Sequence, residues 1–114
     1  MHELGIVFSM IDEVEEAAKQ NHAKKVLSIT LEVGEVSTII PSYFEDCFEW
    51  AKKKTDYLQE CKLNIVVVEA VSYCRTCKKT YPTTKTGRSC PYCGGDDTYL
   101  VFGQQCEIRS IEVV

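Results

Sequence analysis

Two Cys-x-x-Cys pairs, Cys74/Cys77 and Cys90/Cys93, stand twelve residues apart in the stretch CRTCKKTYPTTKTGRSCPYCGG. No other feature restricts the folding of this chain as much. Two residues between cysteines let the backbone curl so that both sulfurs face one point. Two such hooks supply four thiolates in a tetrahedron, the arrangement Zn²⁺ takes in closed structural sites. Gly94-Gly95 follows the second hook, where backbone without side chains can turn tightly and aim amides at the sulfurs. Twelve residues are enough for a hairpin between the hooks. A pair of disulfides or a redox Cys-x-x-Cys is the alternative, and the doubled motif weighs against it.

The rest of the composition narrows the class. A length of 114 residues suits one domain, or a small domain carrying a smaller insertion. A net charge of −4 argues against a general nucleic-acid binder, which would need lysine and arginine to neutralise phosphates. Lys78, Lys79, Lys85 and Arg88 give the hairpin some positive charge, for which a solvated surface is the plainer explanation. There is no apolar run of membrane-spanning length and no basic segment leading into an apolar one, so neither a membrane span nor a secretory signal is expected. Of seven cysteines, four go to zinc; Cys47, Cys61 and Cys106 remain as scattered thiols, which fits a reducing cytoplasm.

Periodicity places the remaining elements. Leu4, Val7, Ile11, Val14 and Ala18 recur every three or four residues, one stripe of a helix over 4–20, with Asn21 as its stop. Acidic residues lead and Lys19, His22, Lys24 and Lys25 follow, in keeping with the helix dipole. His22 reads as a dipole partner and not as a ligand. Leu27, Ile29, Leu31 and Val33 then alternate with polar residues, a strand ended by Gly34. Pro41 suits the first turn of a second helix, although Ser42 and Glu45 have capping-box spacing and leave its start open. Phe44, Cys47, Phe48 and Ala51 form its stripe, with Trp50 close beside, and Lys52–Lys54 closes its last turn. Residues 63–71 read as a second strand running straight into Cys74, and 104–114 as a last strand with imperfect alternation at Ser110.

The expected fold is therefore α+β: two helices packed on a small three-stranded sheet, with a zinc-ribbon module inserted before the last strand. In domain terms, 1–72 plus 99–114 form the body and 73–98 the zinc-binding insertion. So small an insertion buries little apolar surface, and the metal supplies most of its folding free energy.

A second metal site is conceivable at Met1-His2-Glu3. The α-amine of Met1, the amide nitrogen of His2 and its Nδ1 can close adjoining chelate rings on one cation. Ni(II) and Cu(II), which favour planar nitrogen coordination, can promote loss of the amide proton. The Glu3 amide or carboxylate offers a fourth donor. Set against this, a histidine at position 2 also arises by chance, and chain ends are normally disordered.

Taken together, MHELGIV at the start, LEVGEVSTIIPSYFEDCFEWA in the middle, the CRTC and CPYCGG hooks and IRSIEVV at the end resemble the HypA/HybF family of hydrogenase-maturation nickel metallochaperones, over the whole length. The resemblance implies a two-domain fold, transferable Ni(II) at Met1, His2 and Glu3, and structural Zn(II) at Cys74, Cys77, Cys90 and Cys93. It implies delivery of nickel toward the large subunit of [NiFe]-hydrogenase together with the maturation GTPase HypB, with urease maturation proteins as further partners for some members. It assigns no ligand role to Cys47, Cys61 or Cys106.

The competing reading is a zinc-ribbon protein-interaction module without metal transfer. An enzyme is disfavoured, because the four-thiolate set leaves no open position for water and no nucleophile and base constellation is visible. Oligomeric state is open, and a homodimer is compatible with so small a body.

Overall fold

A computed structural model describes residues 2–114, with His2 described in its backbone alone. The order is α1 (His2–Gln20), β1 (Val26–Gly34), α2 (Pro41–Ala51), β2 (Lys62–Val68), β3 (Val71–Cys74), β4 (Thr80–Pro82), α3 (Thr83–Thr86), β5 (Thr98–Phe102) and β6 (Cys106–Val113). Short 3₁₀ turns at Lys52–Lys54 and Asp56–Leu58 link α2 to β2. Among the described residues, no helix is long and apolar enough to cross a membrane.

The chain divides into two compact units. The first comprises Met1–Glu32, Ile39–Val66 and Glu107–Val114; the second comprises Val33–Thr38 and Val67–Cys106.

In the first unit the stripes read from periodicity point inward: Val7, Ile11, Val14 and Ala18 of α1 and Phe44, Phe48 and Ala51 of α2 are all buried. Trp50, beside that stripe, is half exposed, its ring edge-on to Phe8 of α1 with centroids 6.1 Å apart. α1 stops as expected at Gln20, by a backbone device. His22 adopts a left-handed conformation (φ 55°), its N–H bonds the Lys19 carbonyl and the Ala23 N–H bonds that of Ala18. This is the Schellman closure, and histidine is among the residues that tolerate it. At the start of α2, Pro41 takes the first helical position behind Ile40, with no side-chain cap, so Ser42 does not serve as one.

β1 lies at the centre of a three-stranded sheet in the order β2-β1-β6. Ser28 pairs with Glu112 and Glu32 with Arg109, so β6 runs antiparallel to β1. Lys25 meets Glu60 and the Glu35 N–H bonds Val68, so β2 runs parallel, as a strand reached through a helical crossover should. Ile108 and Ile111 line one hollow of about 240 Å³ with Val14 and Ala17 of α1. A spacing of three on one face breaks strict alternation, which explains the irregular pattern at Ser110.

The second unit holds another three-stranded sheet, antiparallel throughout, in the order β4-β3-β5. The apolar run 63–71 is thus not one strand. It breaks at Glu69-Ala70, where the Ala70 carbonyl accepts the Thr83 N–H and its Cα faces Gly103. β5 was not anticipated; its pairing with β3 through Ser72↔Leu100 and Tyr73↔Tyr99 extends the hairpin sheet as far as Phe102.

Candidate metal centre

The two hooks are built alike. In the first, the Lys78 N–H bonds the Cys74 carbonyl (2.8 Å) and the Cys74 N–H bonds the Lys79 carbonyl (2.9 Å). In the second, Gly94 N–H bonds the Cys90 carbonyl (2.9 Å) and Cys90 N–H bonds the Gly95 carbonyl (2.8 Å). Each loop therefore closes on itself, with both its sulfurs on the inside.

The four sulfurs lie within 4.8 Å of one another, the one cluster of three or more metal-binding side chains among the described residues. Cys74 and Cys93 approach to 3.6 Å and Cys77 and Cys90 to 3.5 Å. A tetrahedron with Zn–S bonds of about 2.3 Å separates its sulfurs by about 3.8 Å, so the spacing fits zinc and is far too long for disulfides. Cys47, Cys61 and Cys106 stand outside the cluster.

Backbone amides tune the thiols. The Cys77 amide, and Thr76 with it, hold Cys74 below its ordinary value against burial. At Cys90 burial is outweighed by N–H donors from Cys93 and Tyr92, the latter 3.4 Å from the sulfur, and the thiol is lowered to about 7. Burial and the Cys90 sulfur push Cys77 up to about 12. At Cys93 the Gly95 amide pulls down, but its contact with Cys74 and burial leave it raised. Within each close pair one thiol is thus lowered and the other raised. A thiolate zinc site needs all four deprotonated, so metal binding releases protons.

Little else supports this region. Its buried cluster is Cys74, Tyr81 and Cys90, with Cys77 packed against it, and the Tyr81 hydroxyl donates to the Gly87 carbonyl at 2.8 Å. The role of Tyr81 was not anticipated; it sits among polar residues with no periodicity to mark it.

Of the three residues read as a nickel site, Met1 lies outside the described residues and His2 is described in its backbone alone, as the first residue of α1. Glu3 stands half-buried in the first turn of that helix.

The family model described as hydrogenase/urease nickel incorporation, metallochaperone, hypA matches residues 1–113. Hydrogenase maturation factor HypA of Actinobacillus succinogenes is 34% identical over 113 residues, covering 99% of each chain. Its counterpart in Aeromonas hydrophila is 35% identical with the same coverage. The solution structure of the Ni metallochaperone HypA from Helicobacter pylori is similar with a TM-score of 0.75 at 25% identity, covering 98% of this chain and 97% of that one. Another solution structure of a HypA protein gives 0.79 at 26% identity, covering 100% and 97%.

Proposed function

The chain belongs to the HypA family of nickel metallochaperones, and on that premise we propose that it carries nickel on Met1, His2 and Glu3 and zinc on Cys74, Cys77, Cys90 and Cys93. As a metallochaperone for hydrogenase maturation it hands on a cation and turns over no substrate.

The observation that carries the nickel assignment is that α1 begins at His2. The first N–H groups of a helix have no intrahelical acceptor. The His2 amide can therefore lose its proton without breaking a rung of the helix, and the positive end of the helix dipole favours the anionic nitrogen left behind. That nitrogen, the Met1 amine and the imidazole Nδ1 supply three donors in one plane, which suits Ni(II). Glu3, in the same turn, supplies the fourth.

The two sites divide the work. A thiolate tetrahedron is closed and holds its ion firmly, whereas a chelate at a chain end has few donors and can release its cargo. In this reading residues 1–72 plus 99–114 carry nickel, and 73–98 form the zinc-held insertion. The recipient is the large subunit of [NiFe]-hydrogenase, with the maturation GTPase HypB as co-worker in the cytoplasm. The family description names urease beside hydrogenase, which makes urease maturation proteins a second set of partners.

The test is a nickel titration of zinc-loaded protein with a native terminus, beside a copy bearing one extra leading residue. The native form is expected to bind about one Ni(II) per chain in a planar nitrogen-rich site, and the extended form and His2→Ala are not. Equal binding by all three would remove the terminal site and bring the interaction-module reading forward.

A further inference from the structure

Helix α2 carries two apolar stripes. Phe44, Cys47, Phe48 and Ala51 face inward and are buried. Beside them, Tyr43, Asp46, Cys47 and Trp50 follow a second helical row. With Leu4 of α1 they line an open hollow of about 270 Å³. Tyr43 is 46% exposed and Trp50 52%, while Phe8 braces the Trp50 ring. Half-exposed aromatics held around an apolar hollow are the usual anchors of protein interfaces. The hollow falls just short of the roughly 300 Å³ at which small-molecule sites begin, and is of a size for a side chain.

Charge identifies the visitor. The exposed lining is almost wholly apolar; Asp46 is its one charged residue, and the Asp46 carboxylate has no ion-pair or hydrogen-bond partner among the described residues. The helix bears Glu45, Asp46 and Glu49 and no basic residue. The Trp50 face already attracts one cation, the Lys54 ammonium 4.5 Å above its ring.

We propose that this hollow docks a basic amphipathic segment of a partner protein, an aliphatic side chain seated between Leu4, Cys47 and Trp50 and a neighbouring lysine or arginine paired with Asp46. The inference does not rest on where nickel binds.

Trp50 is the only tryptophan, so its emission reports this surface alone. The probe is a leucine/lysine peptide of about 14 residues, long enough to form a helix on a surface, beside a leucine/glutamate counterpart. Both are titrated into the zinc-loaded, nickel-free full chain. The lysine peptide is expected to shift Trp50 emission to the blue and saturate, and the glutamate peptide is not. Asp46→Lys is expected to weaken the lysine peptide by about tenfold, while Glu16→Lys, the same charge change on an exposed part of α1, is not. No shift with the lysine peptide, equal shifts with both peptides, or equal effects of the two substitutions would overturn the proposal. So would an emission shift with protein concentration alone, accompanied by a dimer mass in sedimentation, which would give the hollow to a second copy of the chain.

Discussion

Lys78 and Gly94 hold the same left-handed backbone, φ 59° and 73°, one residue past the second cysteine of each hook. The hooks are thus two copies of one loop, and only one copy uses the residue the conformation favours. An L-residue there bears a cost of roughly 1–2 kcal/mol that glycine escapes. Nothing lies within 4 Å of a Cβ built on Gly94, so backbone strain alone decides the effect of a side chain. Gly94→Lys is expected to weaken zinc retention by about fivefold, equivalent to about 1 kcal/mol, in competition with a chelator. Lys78→Gly is expected to leave retention equal or better.

Three of the four residues in the second unit's buried cluster and its packing shell are themselves sulfur donors. Apart from Tyr81, that cluster consists of the cysteines proposed to hold zinc. Stripping zinc is expected to remove on the order of 10 kcal/mol of folding free energy and melt residues 71–102. Hydrogen exchange would show it: amides around Tyr81 lose protection, while those around Val7 and Phe48 keep theirs.

Gly34 and Gly103 meet so closely that a Cβ on Gly34 would overlap the Gly103 carbonyl. Gly103 in turn lies against Ala70, where a Cβ would come within 2.5 Å of the Ala70 Cα. Backbone cannot step aside as a side-chain end can. Gly34→Ala is expected to cost about 3 kcal/mol or more, at the upper end of overpacking effects, measured by urea denaturation.

Burial pushes the Cys61 thiol up from 9.0 to about 11, against a lowering influence from Lys52. In the unfolded chain it ionises first. The stability it confers is therefore present below about pH 9 and drains away as the pH climbs toward 11. Denaturation at stepped pH should show that slope, and Cys61→Ala should flatten it. At about pH 8 the native thiol is expected to resist alkylation.

What could be read in advance, and what could not, follows from the range of the interactions. The stripe of α1, the alternation of β1 and the two hooks are local signals, each contained within a turn or two of chain. The break at Glu69-Ala70 is not local. It depends on Gly103 and Thr83 arriving from far along the sequence, so LNIVVVEAV looked like one strand. Periodicity puts Trp50 beside the α2 stripe, where it stands, but its half exposure is not legible from that position, since an aromatic there usually joins the core. β5 escaped notice because Tyr99, Val101 and Phe102 are exposed and only the register with β3 makes TYLVF a strand. His22 gave no sign of its left-handed role, since its chemistry suggested charge and its backbone supplies the function.

Finally, the register that pairs Val71 with Phe102 sets two ends of one long excursion side by side. Neighbouring antiparallel strands leave only about 5 Å between such partners. Everything from 72 to 101 enters and leaves through that single doorway. A gene could lengthen, shorten or replace the passage between those two codons while the flanking strands kept their separation. Those thirty positions form a cassette whose two ends are held by one pair of neighbouring residues.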